Sequence, residues 1–445
     1  MSTEIISALQ PHPSPRPPAL LGVLASWRPI CLLLFTASLL VSADNLTGGS
    51  FADLDRRGKA GEPLTVVFFG ASLTWGANAT DQAHTSYRAV VADLLAKRYP
   101  KAPIRCHDAA IGGTGSQLGI FRVERDVLSR KPDLVFLDFS ANDDINSDDP
   151  ETLGSYEAIV RRLVTEAKVP VVQVAFPFQW NIGRDLLPKM KRRLAHRAIA
   201  EAYGSGWGDA VELIVNEVEA NRATVAGIWD TDGVHPGDLG YALFAKAAWQ
   251  GFEKAIADNR VGHAPATMIN PATYTSAKRV RLSSLGALPE GWSVGKPHLT
   301  SLYYDFQMSR WLDDLVVGSN RQTVVGADGK KNRQPVAIAP LRLRVQAASI
   351  VLFGEASPQS GKFRILIDGK PALDQHGSNK GKEEFDGNRW STGTGHLVIV
   401  AAIGLDPTVP HVVEIVPVFA EDKDQEVRLE SVCVAGGVAT AEVIQ

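Results

Sequence analysis

Between residues 64 and 257, short strand-like runs alternate with segments of helical period, and few architectures accept that rhythm. Leu64–Phe69, Ile104–Ala109, Asp133–Phe139 and Val169–Phe176 read as strands. Between them Tyr87, Val90, Val91, Leu94 and Leu95 recur at helical spacing, as do Tyr156, Ile159, Val160, Leu163 and Val164. Further helices are expected over Asp185–Ala202 and Asp238–Ile256. Parallel strands need long crossovers, which helices supply. The alternation therefore predicts a mainly parallel sheet with helices on both faces.

After residue 262 the pattern changes. The prolines of His263–Ala266 and Asn270–Ala272 suggest a linker. Beyond it, strands are expected at Leu341–Gln346, Ser349–Phe353, Lys362–Ile367, His396–Ala401, His411–Val416 and Val427–Val434, separated by Gly/Asp/Asn/Pro clusters. Regular short strands with turn signals predict an all-β, jelly-roll-like sandwich. Trp292, Tyr303, Tyr304, Phe306 and Trp311 have two readings, sandwich core or aromatic binding surface. A chain of 445 residues exceeds one ordinary core. Three segments are expected: a leader over 1–43, the α/β domain over 44–262 and the sandwich over 263–445.

Arg16 and Arg28 precede an apolar run, Ile30–Val41, that ends in the small residues Ser42 and Ala43. The run is shorter than the roughly 20 apolar residues of a membrane span. It reads as a cleaved signal peptide, with a retained N-terminal anchor as the alternative, so a secreted or periplasmic protein with no stable membrane span after cleavage is expected. A net charge of −3 provides no basic field for nucleic acid. Without the leader only Cys106 and Cys433 remain, which read as two buried free thiols rather than a disulfide framework. No clustered ligand spacing suggests a metal, and no cofactor is expected.

Four motifs stand out: GASLTWG at 70–76, AIGGTGS at 110–116, FSAND at 139–143 and DGVHP at 232–236. The first three follow predicted strands, at the sheet edge where open α/β sheets bind ligands. Ser72, between two glycines after a strand, can project its hydroxyl into a cleft. A serine hydroxyl needs a base to become nucleophilic, and the imidazole of His235 suits that task. Asp232, on the same turn, can orient that ring and stabilise its charged form. A tetrahedral acyl intermediate also needs preorganised donors for its oxyanion. The Ser72 N–H, a glycine N–H (Gly113, with Gly112 as the other choice) and the Asn142 amide can converge on it. Taken singly, each motif also fits an ordinary turn, cap or loop; the ordered set favours an acyl-transfer site.

These motifs resemble the blocks of the SGNH hydrolase superfamily, which includes the GDSL esterases and lipases. The resemblance implies a flavodoxin-like three-layer α/β/α fold over about 64–257. It implies Ser72 as nucleophile, His235 as base, Asp232 as its orienting acid, and Ser72, Gly113 and Asn142 as the oxyanion hole. Ala71 stands where the family has aspartate, and Ser140 where it has glycine.

The expected function is therefore a secreted serine esterase acting on small acyl esters, with O-acetyl groups on carbohydrate as the substrate class by analogy. A lipase, arylesterase or thioesterase of the same fold is the alternative, and a non-catalytic carbohydrate-binding protein is the rival from another class. Asp143, Asp144, Asp148, Asp149 and Glu151 read as a solvated acidic surface, with a substrate rim or a calcium site as alternatives. Phe178 and Trp180 are open to two readings, a sugar stack or a lid contact. His84, His107 and His196 carry no motif and read as structural.

Overall fold

A computed structural model describes residues 47–298, 311–375, 379–388 and 393–444. The expected leader, Tyr303, Tyr304 and Phe306 lie outside the described residues.

The α/β part begins with strand β1 (Thr47–Ser50) and helix α1 (Phe51–Ala60). Then follow β2 (Leu64–Gly70), α2 (Ser72–Trp75), α3 (Tyr87–Arg98), β3 (Ile104–Ala110) and α4 (Ser116–Asp126). β4 (Leu134–Leu137), α5 (Pro150–Arg162), β5 (Val171–Ala175), α6 (Lys191–Ala202) and β6 (Gly206–Asp209) come next. α7 (Ala210–Glu219), α8 (Val225–Ile228), α9 (Asp238–Ala257) and β7 (Val261–His263) complete it. Five of these strands form one parallel sheet in the order β3-β2-β4-β5-β6, and β1 pairs separately with β7. This is the flavodoxin-like strand order, with its switch point between β2 and β4.

Strand alternation sends neighbouring residues to opposite faces. Val66, Phe68, Leu134, Phe136, Val172 and Val174 pack with Tyr87, Val91, Phe244 and Phe252 from α3 and α9. Val67, Phe69, Val135, Leu137 and Val171 pack with Phe121, Val123, Tyr156 and Ile159 from α4 and α5. Two helical layers thus enclose the sheet. Each fully buried side chain of this kind contributes about 1.5–3 kcal/mol. The helices are started locally: the Ser86 side chain accepts from Ala89 N–H, and that of Asp149 from Thr152 N–H with Pro150 in the first turn.

The C-terminal part is built on two larger antiparallel sheets, with Arg321–Val325 and Lys331–Pro335 forming a separate two-stranded one. One orders Gly395–Ala402, Ser349–Ala356, Glu426–Ala435, Leu315–Ser319 and Trp292–Gly295, with Lys278–Arg281 also paired to Glu426–Ala435. The other orders Lys370–Pro371, Lys362–Ile367, His411–Val418, Leu341–Gln346 and Thr440–Ile444, with Glu384–Asp386 paired to Lys362–Ile367. Leu341, Leu343, Val345, Phe363 and Ile365 meet Ile350, Leu352, Leu397, Ile399 and Leu429 between the sheets. The first sheet is covered on its other face too. Val351, Phe353, Val400, Cys433 and Ala435 belong to the same apolar cluster as Phe121 of α4, Tyr274, Trp311 and Leu312. Ser349–Ala356 is accordingly buried at every position, whereas Leu341–Gln346 alternates. Trp292 and Trp311 are core residues.

Two expectations need correction, and the linker has an anchor. Cys433 is buried, but Cys106 is exposed, because β3 is an edge strand. The residues read as a linker are held in place: buried Glu157 accepts from Ile269 N–H, Asn270 N–H and the Asn270 amide, each at 2.8 Å. Asp143 is buried rather than solvated, while Asp144, Asp148 and Asp149 are exposed. Asp149 is the helix cap noted above. His196 is structural, its ring stacked on Tyr156 with centroids 3.5 Å apart. Among the described residues no helix is long and apolar enough to cross a membrane.

Candidate active site

The four motifs converge at the carboxyl edge of the parallel sheet. β2 ends at Gly70, the extended Ala71 turns the chain, and Ser72 opens the one-turn helix α2. Its N–H precedes the first intrahelical donor, since the first bond of this turn runs from Trp75 N–H to Ala71 O. Opposite it, the Asp232–Pro236 turn leads into α9. The Ser72 Oγ lies 3.0 Å from His235 Nε2, and His235 Nδ1 lies 3.2 Å from Asp232 Oδ2. Ser72 and His235 are 4% and 3% exposed, so the pair is shielded from bulk water.

Asp232 is held from several sides. Its Oδ1 accepts from the N–H groups of Val234 and His235, both at 2.7 Å. Its Oδ2 also accepts from the Asn78 amide at 2.8 Å, and that amide reaches His235 O at 3.3 Å. Asn78 adopts a left-handed conformation with φ 68°, which asparagine tolerates well. Beside it, Thr80 donates from its N–H (2.9 Å) and hydroxyl (2.6 Å) to Asp238 of α9. The loop after the serine is thus tied to the loop carrying the histidine. Sequence reasoning missed Asn78; its only local signal is an asparagine just after the Gly76 turn.

These contacts set the protonation states. Burial pushes the Asp232 carboxyl up, but the His235 N–H, the Asn78 amide, the Val234 N–H and the His235 ring outweigh it, leaving the group below its ordinary value. Burial pushes the His235 imidazole down, and the Asp232 hydrogen bond and charge recover part of that loss, leaving it below its ordinary value. At neutral pH the ring is therefore neutral. With an ionised acceptor at Nδ1, the ring proton sits there, and Nε2 accepts from the Ser72 hydroxyl.

The loops carrying Gly113 and Asn142 follow β3 and β4, on either side of β2. Gly113, on the turn after β3, has φ 72° and is exposed. Gly112 beside it is buried. Asn142 is half-buried, and its side-chain amide has no hydrogen-bond partner among the described residues. Asp143 joins the two loops: its Oδ1 accepts from Ser116 N–H at 2.9 Å. Burial pushes the Asp143 carboxyl up to about 6, against the pull of Arg192 and Ser116. Ser140, in place of glycine, anchors its loop. Its hydroxyl donates to Asp138 Oδ1 at 2.7 Å and accepts from Phe176 N–H at 2.9 Å, linking the ends of β4 and β5. Burial pushes the Asp138 carboxyl to about 7.

A buried hydroxyl against a neutral imidazole, backed by a carboxylate, is a set of parts suited to acyl transfer. Residues 68–243 match the GDSL-like Lipase/Acylhydrolase family model. The chain thus carries a segment similar to the GDSL-like lipases and acylhydrolases (SGNH), with an all-β region following it. An acetylxylan esterase from Geobacillus stearothermophilus is 29% identical over 208 residues, covering 42% of this chain and 94% of that protein. Over nearly the whole chain the fold is that of a two-domain esterase active on acetylated mannans, crystallised with mannopentaose. That match has a TM-score of 0.64 and 22% identity, covering 89% of this chain and 98% of the other. A second crystal structure of a two-domain esterase active on acetylated mannans matches with a TM-score of 0.62 and 23% identity, covering 90% and 100%.

Proposed function

We propose that the protein is an exported serine esterase that removes acetyl groups from carbohydrate. The reading rests above all on the Ser72–His235–Asp232 line of contacts, and the sugar-ester preference rests on the acetylxylan esterase relative. The catalytic domain spans 44–262 and the sandwich 263–445, with the leader over 1–43 directing export.

The Ser72 Oγ attacks the ester carbonyl while His235 Nε2 takes its proton. The carbonyl oxygen becomes an oxyanion that receives the N–H groups of Ser72 and Gly113 and the Asn142 amide. Collapse expels the sugar alkoxide, which receives the proton from Nε2. Water then attacks the acyl-enzyme, giving its proton to Nε2, and the second intermediate releases acetate as Ser72 is reprotonated. Acetate release from acetylated xylan and mannan, set beside a series of acyl chain lengths, tests the reading. A preference for long acyl chains would replace it with a lipase. Failure of a fluorophosphonate to label Ser72 would leave only a binding protein.

Two further outcomes follow from the environment of His235. The base works as the neutral imidazole, and its folded value is depressed. Activity therefore rises with pH on the acid side of an ordinary histidine, and kcat/KM measured between pH 4 and 8 checks this. Asn78→Ala removes a charged hydrogen bond of about 1.5 kcal/mol from Asp232, so kcat should fall roughly tenfold with little change in KM. A steady-state comparison with the parent checks the split.

A further inference from the structure

We propose that Trp180 is a stacking platform for a pyranose ring of the ester's alcohol side, set beside the reacting pair. The proposal rests on the esterase reading above.

Of the seven described tryptophans, Trp180 alone is exposed, at 59%. Its neighbours hold it in place. It sits on the one-turn helix Gln179–Asn181, just past the carboxyl end of β5. Gln179 N–H donates to Gly233 O at 2.9 Å, and Phe178 N–H donates to Asn181 Oδ1 at 2.9 Å. The Phe178 ring supports the indole with centroids 5.0 Å apart. Gly233 lies between Asp232 and His235, and a Cβ added there would stand 3.2 Å from Trp180 Cζ3. The six-membered edge of the indole thus lies on the turn that carries the base.

The chemistry of the step selects the occupant. The departing alkoxide must take its proton from His235 Nε2, so the alcohol half of the ester leaves on the histidine side. The acyl half lies toward the donors of Gly113 and Asn142. An indole seated by its edge on the histidine turn therefore stands on the alcohol side of the ester. A pyranose ring presents a face of C–H groups with its hydroxyls at the periphery. That weakly positive apolar face complements the negative face of an indole. A held aromatic with a few polar groups nearby is how sites fix an uncharged ring.

The test uses the full chain carrying Trp180→Ala and, separately, Trp180→Phe. With acetylated xylo- and manno-oligosaccharides, Trp180→Ala should raise KM about tenfold, with Trp180→Phe recovering most of the loss. The loss on p-nitrophenyl acetate should be several-fold smaller, because that ester has no sugar ring. Equal losses on both substrates would mean that Trp180 only supports the histidine turn. An unchanged KM on the oligosaccharides would overturn the platform outright. Light scattering that shows Trp180→Ala dissociating a parental dimer would assign the indole to a second copy of this chain instead. Calorimetric titration with unacetylated oligosaccharide separates the two readings. If the parent binds and Trp180→Ala binds about tenfold more weakly, the platform stands even where acetate release fails. If the parent does not bind, the platform falls whatever the esterase does.

Discussion

Ser72→Ala is expected to lower kcat on p-nitrophenyl acetate by about 10⁴-fold or more. In the proposed mechanism the hydroxyl supplies the attacking atom, and its oxygen stands 3.0 Å from His235 Nε2. The folded state should barely change, since one hydrogen bond contributes only about 0.5–1.5 kcal/mol. His235→Ala should cost a similar factor. The double variant should lose little more, because the two residues act as one unit in the same step. Turnover numbers and thermal midpoints for the three variants check this together. Retained turnover in Ser72→Ala would remove the residue from the mechanism, and a collapsed midpoint would turn a catalytic result into a folding one.

Asn142→Ala is expected to lower kcat by about 10²–10³ with KM nearly unchanged. The amide bonds to none of the described residues, so its removal strands no protein partner. In the proposed mechanism it acts only when charge develops on the carbonyl oxygen. Asn142→Asp should be worse at neutral pH, because it places a negative charge where the oxyanion forms. A loss in KM rather than kcat would make Asn142 a ground-state contact. Hydrolysis by Asn142→Ala at the parental rate would take it out of the oxyanion hole.

Much of the fold was legible in local patterns. The strands expected at Leu341–Gln346 and Lys362–Ile367 have those bounds, and Asp238–Ile256 differs from α9 by one residue. These segments carry their own period, so neighbours are not needed to read them. β6 was missed because its Gly-Trp-Gly-Asp has no apolar run. α9 lies directly on its backbone, where a Cβ on Gly208 would stand 2.8 Å from Ala247 O. That approach is invisible until the helix is placed. The anchoring of the linker was not legible for the same reason: Glu157 is more than 100 residues away in the chain.

Sequence alone determined which groups are at hand: a serine at a strand end, an aspartate and a histidine on one turn before α9, and the glycine and asparagine proposed as donors on the loops after β3 and β4. Short motifs carry that information because turn geometry and side-chain type are local properties. Tertiary structure decided how those groups are tuned and tied. It brought Asn78 to Asp232, buried Asp143 between the two donor loops, depressed the His235 imidazole and laid Trp180 against Gly233. Each of these depends on burial or on contact between distant segments, and free energies of that kind exist only once the chain has closed on itself.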